Sequence, residues 1–121
     1  MIKLTFCLVR RPEFTRPAFQ AYWRDTHAPL VFSVRGPLRI RRYVQLHSFS
    51  EDTAADLRQS RGGPAEFDGV AQLWWDSWMD LQESFDDPAA RDAGRLLLED
   101  ERRFIDLALS PLWWGEESVI F

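Results

Sequence analysis

His27 stands in the run Tyr22-Trp23-Arg24-Asp25-Thr26-His27-Ala28-Pro29-Leu30, two residues before a proline. Steps of three and four from Phe19 reach Tyr22, Trp23, His27, Leu30, Val31 and Val34, which puts the imidazole on the core-facing stripe of a helix. Pro29 removes an N–H and crowds the carbonyl four residues back, so the helix loosens or bends beside the ring and can aim it into a cavity. An imidazole held this way is either a proton handler or a core histidine bonded to a backbone carbonyl that the proline frees.

Three more groups belong with it. Ala93, Leu96, Leu97, Phe104 and Leu107 mark the buried stripe of a later helix, and Asp100 falls on that stripe. A carboxylate there must be paired, hydrogen-bonded or protonated, with His27 or an arginine of the second strand as partner, and it is either a structural ion pair or a poised acid or base. Glu99, Glu101, Arg102 and Arg103 lie off the stripe and read as a solvated face. Tyr43 and His47 share one face of a strand; at ~3.3 Å per residue they are about 13 Å apart, too far to bond directly but able to line opposite ends of one pocket. Taken singly, Tyr43 also reads as a packed strand aromatic and His47 as an exposed strand end. A phenol, two imidazoles and a carboxylate suffice for enolisation, dehydration or isomerisation without a cofactor. Tyr22, Trp23 and Trp74 are the candidate substrate-binding walls.

Other chemistries have weaker support. The histidines and Asp100 are dispersed, with no His-x-x-x-His or clustered carboxylates, so no metal site is expected. Cys7, at the centre of a strand, reads as a small buried hydrophobe. With no phosphate-binding glycine loop, dinucleotide fingerprint or serine elbow, no organic cofactor is expected.

The elements that must position these groups follow from local pattern. Residues 2–9 alternate and are rich in strand formers, reading as a first strand and not a cleaved leader. Thr15 caps a helix with Pro17 in its first turn, running through His27 to about Val34 and ending at Gly36-Pro37. Residues 39–49 form a second strand, with Ile40, Val44 and Leu46 on one face and Tyr43, Gln45, His47 and Phe49 on the other. Residues 51–67 are polar, carry Gly62-Gly63-Pro64 and read as a mobile lid, with a short surface helix open to 53–59. Val70 to Trp75 is a third strand with aromatics on both faces. Ser77 and Asp87-Pro88 start two more helices, the second reaching about Leu109, and residues 111–121 supply a last strand, in one or two pieces.

Strand, helix, strand, strand, helix, strand is the split βαβ order of an α+β, ferredoxin-like fold, with one antiparallel sheet and its helices on one face. The other face, bearing residues such as Leu46 or Trp75, lacks a cover of its own, so a homodimer is expected. A chain of 121 residues fits one domain. Six Trp and nine Phe are many for that length and suit a flat apolar ligand, a subunit interface, or both. Fifteen Lys plus Arg against 19 Asp plus Glu give a net charge of -4, which disfavours nucleic-acid and anionic-membrane partners. The single cysteine excludes an internal disulfide and fits a reducing cytoplasm.

Taken together, four segments resemble the EthD family of the dimeric α/β-barrel superfamily: Phe19-x-x-Tyr22-Trp23-Arg24-Asp25-x-His27-Ala28-Pro29-Leu30; Arg42-Tyr43-Val44-Gln45-x-His47; Phe67-Asp68-Gly69-Val70-Ala71-x-Leu73-Trp74; and Asp100-Glu101-x-x-Phe104-Ile105-Asp106. The resemblance implies a ferredoxin-like protomer whose dimer brings two sheets face to face in a dimeric α/β barrel. It also implies pocket residues at His27, Tyr43 and His47, with Asp100 as acidic partner. The family includes cofactor-free enzymes acting on cyclic or polyketide-derived carbonyl compounds, a methylmuconolactone isomerase, and proteins of ether-degradation clusters. The isomerase uses a cysteine beyond the second strand that this chain lacks, which shifts the expectation toward dehydration or cyclisation. The leading expectation is proton-transfer chemistry on an aromatic or polyketide-like carbonyl compound. The alternatives are cofactor-free oxygenation of an activated aromatic and non-catalytic binding of a reactive metabolite.

Overall fold

The computed structural model describes residues 1–121. Strand β1 (Ile2–Leu8) leads to α1 (Arg16–Tyr22), a π-helical turn (Trp23–His27) and α2 (Ala28–Leu38). Next come β2 (Arg42–His47), α3 (Ala55–Ser60), β3 (Gly69–Trp75), α4 (Trp78–Phe85), α5 (Pro88–Phe104), a 3-10 turn (Leu107–Leu109) and β4 (Leu112–Glu116). The four strands form one antiparallel sheet in the order β2-β3-β1-β4. This is the expected ferredoxin-like arrangement.

The caps explain where the helices start. The Thr15 hydroxyl accepts from the Ala18 N–H at 3.2 Å, the Ser77 hydroxyl from Asp80 at 3.1 Å, and the Asp87 carboxylate from Ala89 at 3.0 Å. The helix ends differ from expectation. The helix passes through Gly36-Pro37 to Leu38, because a proline in the last turn forfeits only one bond; Arg39 then takes the left-handed conformation at φ 58°, and the Trp75 indole N–H satisfies the Leu38 carbonyl at 2.6 Å. Helix α5 stops at Phe104, not near Leu109. There Ile105 bridges to Arg10 and the Asp106 N–H donates to the Val9 carbonyl, so the chain is captured by the end of β1.

Two tryptophans exchange their expected places. Trp75 faces the helices, whereas Trp74 lies on the open face, where the Lys3 ammonium and the Arg42 guanidinium sit 5.0 and 4.6 Å from its ring centre and Glu117 accepts its indole N–H. Strand alternation puts neighbours on opposite faces, and the registers Lys3↔Trp74 and Leu4↔Leu73 fix which is which. Leu46 on the open face is exposed, as expected of an uncovered sheet. Ile40, by contrast, precedes β2 and turns into the core, because the Arg39 turn breaks the alternation. Leu96 is exposed as well, so it leaves the buried stripe of α5.

Phe19, Trp23, Phe104 and Leu8 are wholly buried. Truncating such an aromatic costs about 3–5 kcal/mol, so these residues hold the fold as much as they frame the site. Asp68, also buried, accepts from the Arg10 N–H and guanidinium at 2.8 Å each and from Arg16 Nε at 3.0 Å. That cluster ties the start of α1 to both strand ends. No helix is long and apolar enough to cross a membrane.

Candidate active site

A cavity of about 370 Å³ lies between the helices and the sheet. Leu4, Phe6, Leu73 and Trp75 line it from the sheet, and Val31 and Leu97 from the helices. The exposed lining residues, Phe85, Arg91, Leu112 and Trp114, put its mouth between the end of α4, the start of α5 and the edge strand β4. Its inner end carries the chemistry.

His27 reaches that end because of the π turn. The Ala28 N–H donates to the Trp23 carbonyl, five residues back, and Pro29 has no N–H to restore the regular pattern. The wider turn exposes the Trp23 carbonyl, which also accepts from Gln45 Nε2 at 3.1 Å. His27 Nδ1 lies 2.7 Å from Asp100 Oδ2. The other carboxylate oxygen accepts from the Tyr22 hydroxyl at 2.6 Å and from Arg103 at 3.0 Å. Of the readings open for the two residues, the structure has Asp100 paired with His27, and His27 bonded to a carboxylate in place of a freed carbonyl.

The electrostatics are consistent with that pairing. Burial pulls the His27 pKa below its ordinary value and outweighs the opposing hydrogen bond and charge of Asp100. Burial alone would raise the Asp100 pKa, but donors from Tyr22, His27 and Arg103 bring it below the usual carboxylate range. A neutral imidazole beside an ionised carboxylate keeps its proton on Nδ1. Nε2 bonds to no protein group, and no unbonded polar atom is sealed in the interior, so Nε2 remains accessible on a residue that lines the cavity.

Tyr43 lines the cavity from β2. Its hydroxyl oxygen accepts from Gln45 Nε2 at 2.8 Å, leaving its own proton free to donate, and burial raises its pKa. Gln45 Oε1 accepts from His47 Nε2 at 2.8 Å, so the amide bridges the two residues that sequence spacing separated. His47, however, lies behind Trp23, stacked at 4.6 Å between ring centres, and does not line the cavity. Burial and the nearby Arg24 lower its pKa. The structure therefore pairs His27 with Asp100 and places His27, Tyr43 and Trp23 along one cavity. Tyr22 stands behind Asp100, and Trp74 lies on the far face of the sheet.

Trp23 closes the inner end against Gly69: a Cβ at that glycine would meet Trp23 Cζ3 at 2.5 Å and the Leu46 carbonyl oxygen at 2.8 Å. The segment between β2 and β3 lies beyond that plug. It contributes no lining residue, so it is not positioned as the expected lid; it does contain the short helix α3.

A model of the EthD domain matches residues 11–108. The chain belongs to the EthD family. Among solved structures it is similar to an ethyl tert-butyl ether D (EthD) family protein from Bacillus halodurans, at 21% identity and a TM-score of 0.61, covering 98% of this chain and 100% of that one. It is also similar to an EthD-like protein from Ralstonia eutropha, at 19% identity and TM-score 0.62, covering 99% and 94%. SnoaB, a cofactor-independent oxygenase from Streptomyces nogalater, matches at 10% identity and TM-score 0.56, covering 98% and 95%. No curated protein matches the chain.

In this EthD chain one cavity group escaped the sequence reading. Glu101, assigned there to the solvated face, is half-buried and lines the cavity. Helix α5 presents two inward rows: Ala93, Asp100 and Phe104 pack into the protein, while Ala90, Gly94, Leu97 and Glu101 line the cavity. The small residues at 90 and 94 were the available signal, because they make the second row a wall of open space instead of a packed seam.

Proposed function

We propose that this protein is a cofactor-independent enzyme that moves protons on a flat, apolar carbonyl compound, with dehydration or cyclisation as the reaction class. The observation that carries the reading is the buried His27–Asp100 pair at the inner end of an apolar cavity, with Nε2 unbonded. His27 takes a proton from the carbon next to the carbonyl, and Asp100 stabilises the imidazolium that forms. The Tyr43 hydroxyl donates to the developing enolate oxygen. Trp23 forms the end wall. The reading needs no group beyond the chain's own side chains.

Deuterium incorporation into 2-tetralone in D2O tests it. The protein accelerates exchange at the carbons beside the carbonyl above the buffer rate, and His27→Ala abolishes the acceleration. No acceleration by the wild type, or acceleration unaffected by His27→Ala, refutes the reading. Cofactor-free oxygenation is the second reading, favoured by the same pair, since the carbanion it forms is what dioxygen would attack; oxygen uptake during turnover distinguishes it. Ligand binding that survives His27→Ala with no turnover would favour the binding-protein alternative.

The open sheet face supports a homodimer, since Leu46 and Trp113 lie exposed on it. A dimeric protein of unknown function from Bacteroides fragilis shares the ferredoxin-like fold, at 8% identity and TM-score 0.58 over 96% of this chain and 95% of that one.

A further inference from the structure

We propose that Glu101 is the proton donor of the cavity, delivering a proton to the oxygen that leaves while His27 removes one from carbon. The inference rests on the proton-transfer reading above and adds the acid that elimination requires.

Four observations support it. Glu101 lines the same cavity as His27 and Tyr43, on a wall that is otherwise almost wholly apolar. None of the side-chain hydrogen bonds or ion pairs of the molecule involves it, although its neighbour Asp100 has three donors. Because no unbonded polar atom is sealed, its oxygens remain accessible on a residue that lines the cavity. Burial, and secondarily the Asp100 charge, raise its pKa to about 7, while burial lowers the His27 pKa from its ordinary 6.5. The two shifts bring the acid and the base toward coexisting in their neutral forms in one apolar space, the arrangement acid–base pairs need. The charged or titratable groups around Glu101 are Asp100 and, nearer the mouth, Arg91 on its own helix, Tyr43 from β2 and His27 from the π turn.

The step balances for a β-hydroxy ketone. His27 Nε2 takes a proton from the carbon between carbonyl and carbinol, and the C–H electron pair becomes the new carbon–carbon π bond. The C–O bond breaks, and the departing oxygen takes the Glu101 proton and leaves as water. The imidazolium and the Glu101 carboxylate then return to their neutral forms by proton exchange through water.

Two probes separate the two groups. Exchange of 2-tetralone in D2O reports His27, whereas conversion of 4-hydroxy-2-tetralone to 2-naphthol and water, followed by naphthol fluorescence, needs the acid as well. Glu101→Gln is expected to slow elimination by about 100-fold or more while changing exchange by no more than a few-fold. Elimination at the wild-type rate in Glu101→Gln, with His27→Ala inactive, overturns the role of Glu101 and leaves the function intact. Wild type inactive in both assays refutes the function. Glu101 is then judged by the affinity of 4-hydroxy-2-tetralone, which carries the oxygen it would protonate, against pH: a proton donor gives binding that weakens above about pH 7 in the wild type and stays flat in Glu101→Gln. Coincident curves overturn the donor assignment.

Discussion

Asp100 and Glu101 are adjacent on α5 yet occupy opposite electrostatic surroundings. Asp100 accepts from Tyr22, His27 and Arg103 and is held below the usual carboxylate range; Glu101 accepts from none and is raised to about 7. A helix turns by roughly a quarter to a third of a circle per residue, enough to move one side chain into a polar cluster and the next into an apolar cavity. One helix therefore supplies both the charge that orients a base and a carboxyl that holds its proton up to about pH 7.

Replacing Asp100 with Asn should remove the orienting charge and let the amide N–H face Nδ1, driving the imidazole proton to Nε2. The 2-tetralone exchange rate should fall about 100-fold or more, with the fold intact by circular dichroism and a changed His27 tautomer in nitrogen NMR. An Asp100→Asn variant with full activity and lower stability would make the residue purely structural.

The two carboxyls also predict opposite pH dependences of stability. The depressed Asp100 pKa contributes stability above the unfolded value near 4, lost as pH falls through the lower folded value. Glu101 is the reverse. Its folded pKa of about 7 lies above the unfolded value, so the folded state binds the extra proton and stability declines as pH rises from about 4.5 to 7. Melting of Glu101→Gln should therefore exceed wild type by roughly 3–8 °C above pH 7, with the gap closing toward pH 4. An equal gap at both pH values would contradict the assignment.

Gly69→Ala should destabilise the protein by about 1–3 kcal/mol, because the new methyl would overlap Trp23 and the Leu46 carbonyl. Denaturant midpoints measure the loss. Trp23→Phe in the same chain should recover part of it by vacating the overlap.

Pro29→Ala should restore an N–H able to reach the Asp25 carbonyl and close the π turn into regular helix. His27 would then rotate away from Asp100. Exchange activity should drop at least tenfold while circular dichroism shows the helix retained, and an active, unaltered Pro29→Ala protein would show that the proline is not what sustains the turn.

Leu46→Glu should convert a dimer to monomer in sedimentation without changing the secondary structure, since the side chain is exposed on the open sheet face. A wild-type protein that sediments as a monomer at micromolar concentration would remove the dimer.

Local pattern determined much of this protein. Alternating apolar residues, the caps at Thr15, Ser77 and Asp87, and the order of elements were enough for the ferredoxin-like sheet. His27 and Asp100 were visible because a polar residue inside an apolar helical stripe is costly without a partner. Tertiary structure alone decided which partner each found, since the two residues are 73 positions apart and meet only when α5 packs on the π turn. It also decided faces near irregular turns: the strand pattern of Trp74-Trp75 is the same read in either direction, and only pairing with β1 sent Trp75 inward and Trp74 out. His47 and Tyr43 shared a face as expected, but Trp23 came between His47 and the cavity. Glu101 was hidden for the same physical reason: periodicity reports which side of a helix faces inward, whereas whether that side meets packed atoms or a cavity depends on the small residues opposite and on how far the sheet stands away.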